Sequence, residues 1–174
     1  MTDERWIVLT GYMGSGKTTV GKALSKALDL PFTDLDDQIE QVTGCAIWQI
    51  FAEKGETSFR EIEAEELKRV LSSKPGVLAL GGGTVLSSEN RRQIKDSGAC
   101  AVWLQIEPKT VLKRLQNDEM RPLLKANSEE ERLLKIRHMI HLRKEAYEDA
   151  ADVVISVDGR TVEEIVEEIT AWIR

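Results

Sequence analysis

The sequence predicts a three-layer α/β/α fold: a five-stranded parallel sheet with helices on both faces, in one domain over residues 1–174. Three observations predict it. Short apolar runs alternate with helical stretches from end to end, the pattern of βα units. The length suits one domain with a full core. No internal repeat, low-complexity tract or interdomain linker interrupts the alternation.

The elements follow in order. Trp6-Ile7-Val8-Leu9-Thr10 is an apolar run of the buried-strand type, giving a first strand at 5–10. Val20, Ala23, Leu24, Ala27 and Leu28 then recur on one face of a helix at about 17–29. Further strands are expected at 32–35, 77–80, 99–105 and 152–157, and further helices at about 36–43, 46–54, 57–72, 88–96, 108–116, 129–149 and 161–173. The last helix carries a stripe of Val162, Ile165, Val166, Ile169, Trp172 and Ile173, opened by a Thr161/Glu164 capping box. Ser128 and Glu131 offer the same signal ahead of the helix at 129–149. The acidic runs from Glu61 to Glu66 and from Glu129 to Glu131 read as solvated helix faces or first-turn complements to the helix dipole.

The residues Gly11-Tyr12-Met13-Gly14-Ser15-Gly16-Lys17-Thr18 fit the pattern G-x-x-x-x-G-K-[ST] at every fixed position, between an expected strand and an expected helix. Glycines let backbone N–H groups turn inward around a polyphosphate, and the helix N-terminus adds partial positive charge. Lys17 can reach the β- and γ-phosphates, and the Thr18 hydroxyl can bind the Mg²⁺ they carry.

Asp34 and Asp36 stand at the carboxyl end of the second strand, where ligands bind in open α/β sheets. Paired carboxylates there suit water-mediated Mg²⁺ binding and proton acceptance from an attacking hydroxyl. The same position equally suits a helix cap by Asp36 or Asp37. Arg60 shares a helix face with Ala64, Leu67 and Leu71, and Arg143 with Leu133, Ile136, Ile140 and Tyr147. An arginine on an apolar stripe must be paired, must line a polar pocket or must snorkel at the stripe's edge. The guanidinium fork suits a small carboxylate, and Glu63 is an obvious partner for Arg60 in either case. Gly81-Gly82-Gly83 follows the strand at 77–80 and would let a ligand approach the backbone closely. The polar, proline-broken segment 117–127 reads as a lid or binding loop, with an ordinary surface excursion as the alternative.

Composition limits the alternatives. The net charge of -6 disfavours a nucleic-acid surface. With 41% hydrophobic and 31% charged residues the chain reads as soluble, and no run approaches the ~20 apolar residues of a membrane span. The first strand follows so soon after Met1 that no signal peptide is expected. Cys45 and Cys100 have no C-x-x-C or histidine cluster near them, so reduced thiols in the cytoplasm are expected. His138 and His141 lack further ligands for a metal.

Taken together, these residues resemble the shikimate kinases, P-loop enzymes of the NMP-kinase-like structural class, over essentially the whole chain. The resemblance rests on Gly11 to Thr18 with Thr19-Val20-Gly21, on Asp34-Leu35-Asp36, on Phe59-Arg60-Glu61-Ile62-Glu63 and on Gly81–Gly83. It continues through Arg121-Pro122-Leu123-Leu124, similar to the family's lid motif, and Arg143 with Tyr147. It implies transfer of the ATP γ-phosphate to the 3-hydroxyl of shikimate, in aromatic amino-acid biosynthesis. The nucleotide would be bound by Gly14, Ser15, Gly16, Lys17, Thr18 and Thr19, with Arg114 stacked on adenine and Arg121 arriving with the lid. Thr18 and, through water, Asp34 would hold Mg²⁺. Asp36 would be the base, with Lys17 and Arg121 as the other catalytic groups. Arg60, Arg143 and Gly81, Gly82 and Gly83 would clamp shikimate, with Phe51 and Phe59 packed nearby. A monomer with small-molecule substrates and no nucleic-acid or membrane partner is expected.

Two departures from the family pattern fall at Arg143-Lys144-Glu145-Ala146-Tyr147 and at the short loop Val157-Asp158-Gly159-Arg160-Thr161, each lacking a usual proline. The alternatives are another small-molecule kinase, acting on gluconate or a nucleoside monophosphate, and a non-catalytic nucleotide-binding regulator. A GTPase is disfavoured because the sequence has no N-K-x-D segment.

Overall fold

A computed structural model describes residues 5–116 and 126–173. The strands β1 (Ile7–Thr10), β2 (Phe32–Asp34), β3 (Val77–Ala79), β4 (Cys100–Gln105) and β5 (Val153–Ser156) form one sheet in the order β2-β3-β1-β4-β5. Every neighbouring pair is parallel. The five expected strands are all present, each within two residues of its expected bounds.

Period-two alternation sorts the central strands between two cores. Ile7 and Leu9 of β1, with Cys100, Val102 and Leu104 of β4, face one apolar cluster. That cluster is closed by Val20 and Leu24 of α1 (Lys17–Leu28) and by Ile165 and Ile169 of α7 (Val162–Ile173). Trp6 and Val8, with Ala101 and Trp103, face the other cluster. It is completed by α2 (Leu35–Thr43), α3 (Ile47–Leu71) and α4 (Ser88–Asp96), through Ile39, Leu67 and Ile94 among others. The short α5 (Pro108–Arg114) and the long α6 (Glu129–Ala150) lie between β4 and β5 in the chain. Helix α6 contributes Ile136 to the first core and Tyr147 and Ala150 to the second.

Two expected helices, 46–54 and 57–72, are the two arms of α3. Gly55 breaks them apart at φ 79° and ψ 172°, a left-handed region that favours glycine. The Thr161/Glu164 box forms reciprocally, at 2.7 and 3.2 Å. Ahead of α6, Ser128 accepts from the Glu131 N–H at 3.1 Å, but the Glu131 carboxylate reaches the Asn127 N–H, one residue earlier than a capping box places it. A 3₁₀ turn at Thr84–Leu86, not expected from the sequence, carries the chain from the triple glycine into α4.

The chain leaves β1 first towards β3 and β2 and later towards β4 and β5. β1 is therefore the switch point, and its carboxyl end opens the crevice in which this class of sheet binds ligands.

The sheet's tightest backbone approach lies at its edge pair. A Cβ on Gly76 would stand 2.4 Å from the Pro31 carbonyl oxygen, which accepts from the Val77 N–H at 2.8 Å. Neither backbone can yield without breaking the β2–β3 ladder. Gly76→Ala is expected to destabilise the fold by roughly 1–3 kcal/mol despite alanine's lower chain entropy, measured by urea denaturation.

Candidate active site

The phosphate loop joins β1 to α1. Gly11 has φ 148°, and a Cβ there would lie 2.5 Å from the Leu104 carbonyl oxygen, so this corner admits only glycine. Gly16 is the N-cap of α1 at φ 91°, and no side chain caps the helix. The first-turn N–H groups are thus left to face an anion. Lys17 bends back over the loop and donates to the carbonyls of Gly11 at 2.7 Å and Tyr12 at 3.3 Å. Ser15 is buried, with no hydrogen-bond partner for its hydroxyl among the described residues, while Thr19 is exposed. Arg114, at the end of α5, donates to the Gly14 carbonyl at 2.8 Å and ties the loop down from the β4 side.

Asp34 ends β2 and does two things at once. One carboxylate oxygen accepts from the Thr18 hydroxyl at 2.7 Å. The other accepts from the N–H groups of Asp36 at 3.0 Å and Asp37 at 3.4 Å, capping α2. The cap is therefore Asp34, not Asp36 or Asp37. The strand stops there because this cap starts a helix, and Asp36 sits in the helix's first turn, freed from capping.

An open cleft of about 250 Å³ runs between these parts, lined by Met13, Gly14, Gly16, Lys17, Thr18, Thr19, Asp34, Asp36, Leu80, Gly81 and Gly82. Phosphate loop, carboxylate pair and glycine turn thus meet in one crevice. Burial in its wall pushes Asp36 up from 3.8 to about 6. The carboxylates of Asp34 and Glu63 push the same way, and Lys17 opposes them.

Arg60 and Arg143 close on the glycine turn from two other helices. A Cβ on Gly81 would come within 3.0 Å of Asp36, one on Gly82 within 3.6 Å of Arg143, and one on Gly83 within 2.6 Å of Arg60. The bare turn makes room for Asp36 and Arg60, and Arg143 packs beside it at ordinary contact distance. Arg60 pairs with Glu63 at 2.7 Å and lies over the Phe59 ring, which packs against Phe51 with centroids 4.5 Å apart. Arg143 donates to the Gly82 carbonyl at 3.2 Å and lies over the Tyr12 ring. The Tyr147 hydroxyl donates to the same carbonyl at 2.6 Å, and its ring stacks on Trp103.

Residue 63 departs from the expected solvated face: only 1% of Glu63 is exposed, because it serves Arg60 and accepts from the Thr84 hydroxyl at 2.7 Å. Thr84 and Tyr12 carry no signal in the sequence. Tyr12 fills a variable position of its motif, and Thr84 only follows the glycines. Arg121 and most of the expected lid, residues 117–125, lie outside the described residues.

The sequence model for shikimate kinase matches residues 13–174. The chain belongs to the shikimate kinase family. It is 43% identical over 170 residues to the shikimate kinase of Persephonella marina, covering 98% of this chain and 99% of that one. It is also similar to the solved shikimate kinase of Acinetobacter baumannii in complex with shikimate. That likeness has a TM-score of 0.91 and 33% identity, over 99% of this chain and 94% of that one. A gluconokinase from Sinorhizobium meliloti is 18% identical with a TM-score of 0.57 over 97% of this chain and 90% of that one, a likeness of fold alone. The family places the chain among ATP-dependent phosphotransferases that act on a shikimate hydroxyl. Among the described residues no helix is long and apolar enough to cross a membrane.

The position of Asp36 has a consequence for stability. Its folded-state value of about 6 lies above the ordinary 3.8, so the fold binds this proton more tightly than the unfolded chain does. That contribution is present below about pH 4 and lost as the pH rises through about 6, which costs about 2–3 kcal/mol at neutral pH. Asp36→Asn is expected to unfold at higher temperature than the parent at pH 7.5, with the difference vanishing near pH 4. Scanning calorimetry without ligands at both pH values measures it.

Proposed function

We propose that Asp36 is the base and that Arg60 and Arg143 clamp the acceptor in transfer of the ATP γ-phosphate to the 3-hydroxyl of shikimate. The observation that carries this is the convergence of Asp36, Arg60 and Arg143 on the glycine turn beside the phosphate loop. Shikimate offers the matching groups: one carboxylate for the guanidinium forks and ring hydroxyls for Asp36.

The N–H groups at the start of α1 would hold the β- and γ-phosphates, with the Lys17 ammonium moving from the loop carbonyls onto the transferring oxygen atoms. Arg114 would face the nucleotide base from beside Gly14, and Arg121 would enter with the lid. Thr18 and Asp34 present hard oxygen donors next to the loop, which fits Mg²⁺ held by one or two protein oxygens plus phosphates and water. Bound there, the ion would supply charge neutralisation at the transferring phosphate.

Asp36 is largely ionised at pH 7–8, yet basic enough to take a proton. It would accept the 3-hydroxyl proton as that oxygen bonds to the γ-phosphorus and the bond to the bridging oxygen breaks, releasing ADP. Support for the acceptor comes from the family and from the shikimate-bound relative. A non-catalytic regulator would have no use for Lys17 and Asp36 in one cleft.

Coupled ADP release with shikimate, gluconate and AMP offered separately is expected to give turnover with shikimate alone. Turnover with gluconate or AMP at a comparable rate would overturn the assignment. As the pH rises, kcat/KM for shikimate should climb through a midpoint near 6 as Asp36 loses its proton. Asp36→Asn should lose this limb and about 10²-fold or more in kcat.

Removing either arginine tests the clamp. Arg60→Ala or Arg143→Ala should weaken shikimate binding by ~2–5 kcal/mol while leaving ATP affinity nearly unchanged in titration calorimetry. Equal loss of both affinities would mean that the arginines only hold the pocket together.

A further inference from the structure

A buried polar chain runs behind the glycine turn, from α4 to Arg60. Asn90 is 1% exposed and donates through its amide to the Thr84 carbonyl at 2.9 Å. Its neighbour Arg91 donates to the carbonyls of Val85 and Leu86 at 2.7 and 3.2 Å, so two successive residues grip the 3₁₀ turn. The Thr84 hydroxyl, fully buried, donates to one oxygen of Glu63 at 2.7 Å. The other oxygen of Glu63 holds Arg60 at 2.7 Å.

This chain answers a choice that Arg60 faces. Two carboxylates lie within its reach on α3: Glu63, buried, and Glu56, at 3.7 Å with 71% of its side chain exposed. A guanidinium drawn towards Glu63 lies against Gly83, in the acceptor wall. The same guanidinium faces Glu56 through its Nε at the longer range, so without a fixed Glu63 its remaining carboxylate partner is the exposed one. What holds Glu63 therefore decides where Arg60 points. A buried carboxylate deprived of a hydroxyl donor re-aims towards whatever donor remains, because an unsatisfied buried oxygen is costly.

We infer that Thr84 is a positioning residue for the acceptor: its hydroxyl fixes the Glu63 carboxylate and so keeps Arg60 aimed at the glycine turn, with Asn90 anchoring Thr84. Neither Thr84 nor Asn90 touches the substrate in this scheme. The inference rests on the reading of Arg60 as a clamp for the shikimate carboxylate. The need is for the hydroxyl, not for the shape of the side chain, and valine has the same shape without it.

The test is a double-mutant cycle with Thr84→Val, Arg60→Ala and the pair, read as KM for shikimate, KM for ATP and kcat. Thr84→Val is expected to raise the shikimate KM about tenfold while the ATP KM stays within about twofold. Thr84→Ser, which restores the hydroxyl, should return it close to the parent value. In the Arg60→Ala background the valine substitution should have almost no further effect, since it acts through the missing arginine. Thr84→Ala repeats the measurement if the valine protein does not fold.

An unchanged shikimate KM in a folded Thr84→Val or Thr84→Ala protein overturns the inference. So does a parallel rise of both KM values, or a full additive effect without Arg60, either of which marks a general packing role. The two readings fail separately. If Arg60→Ala alone leaves the shikimate KM unchanged, the clamp itself is wrong. If it raises KM and Thr84→Val does not, the clamp stands and Thr84 has no part in it.

Discussion

The half of this site around residues 81–83 is gathered by one steric feature, a turn with no side chains of its own. Asp36 comes from α2, Arg60 from α3 and Arg143 from α6; the first two crowd the space of a Cβ on Gly81 or Gly83, and the third lies in ordinary contact beside Gly82. Gly83 is the tightest case, where an added Cβ would stand 2.6 Å from the Arg60 guanidinium. The turn's own backbone takes part as well, since the Gly82 oxygen takes donors from both Arg143 and Tyr147. The turn is thus a template on which three helices register their charged residues.

The charges so gathered are unevenly matched. Arg60 has a buried carboxylate beside it, whereas Arg143 lies against the Gly82 carbonyl, the Tyr12 ring and the Tyr147 hydroxyl. Its Nε is buried with no hydrogen-bond partner among the described residues, a costly state for a charged group. Opposite it, Asp36 is crowded by Asp34, Glu63 and its own burial into holding its proton more tightly than usual. The crowding that raises Asp36 also costs the fold stability at neutral pH, a common arrangement where a site gathers uncomfortable charges.

Asp34 links this half to the phosphate loop. By ending β2, capping α2 and accepting from Thr18, one carboxylate fixes the distance between the loop and the first turn that carries Asp36. Arg114 performs a similar task from the other side of β1 through the Gly14 carbonyl. The loop is held by side chains from both flanks of the sheet, while its inward N–H groups stay available.

By itself the sequence determined what is local and periodic. Strand and helix positions followed from apolar period, the phosphate loop from glycine and lysine spacing, and the break in α3 from the gap at Gly55, because backbone preference and side-chain facing act over a few residues. It also marked Arg60 and Arg143 as charges on apolar stripes, to be paired, pocketed or snorkelled at the edge. Only the tertiary structure decided who answers. That Asp34 and not Asp36 is the cap, that Glu63 is buried within an acidic run, and that Tyr12 and Thr84 touch the arginine machinery all depend on contacts between residues far apart in the chain. Such contacts are set by how α2, α3, α4 and α6 pack over the sheet, and no spacing along one segment encodes the distance between two others.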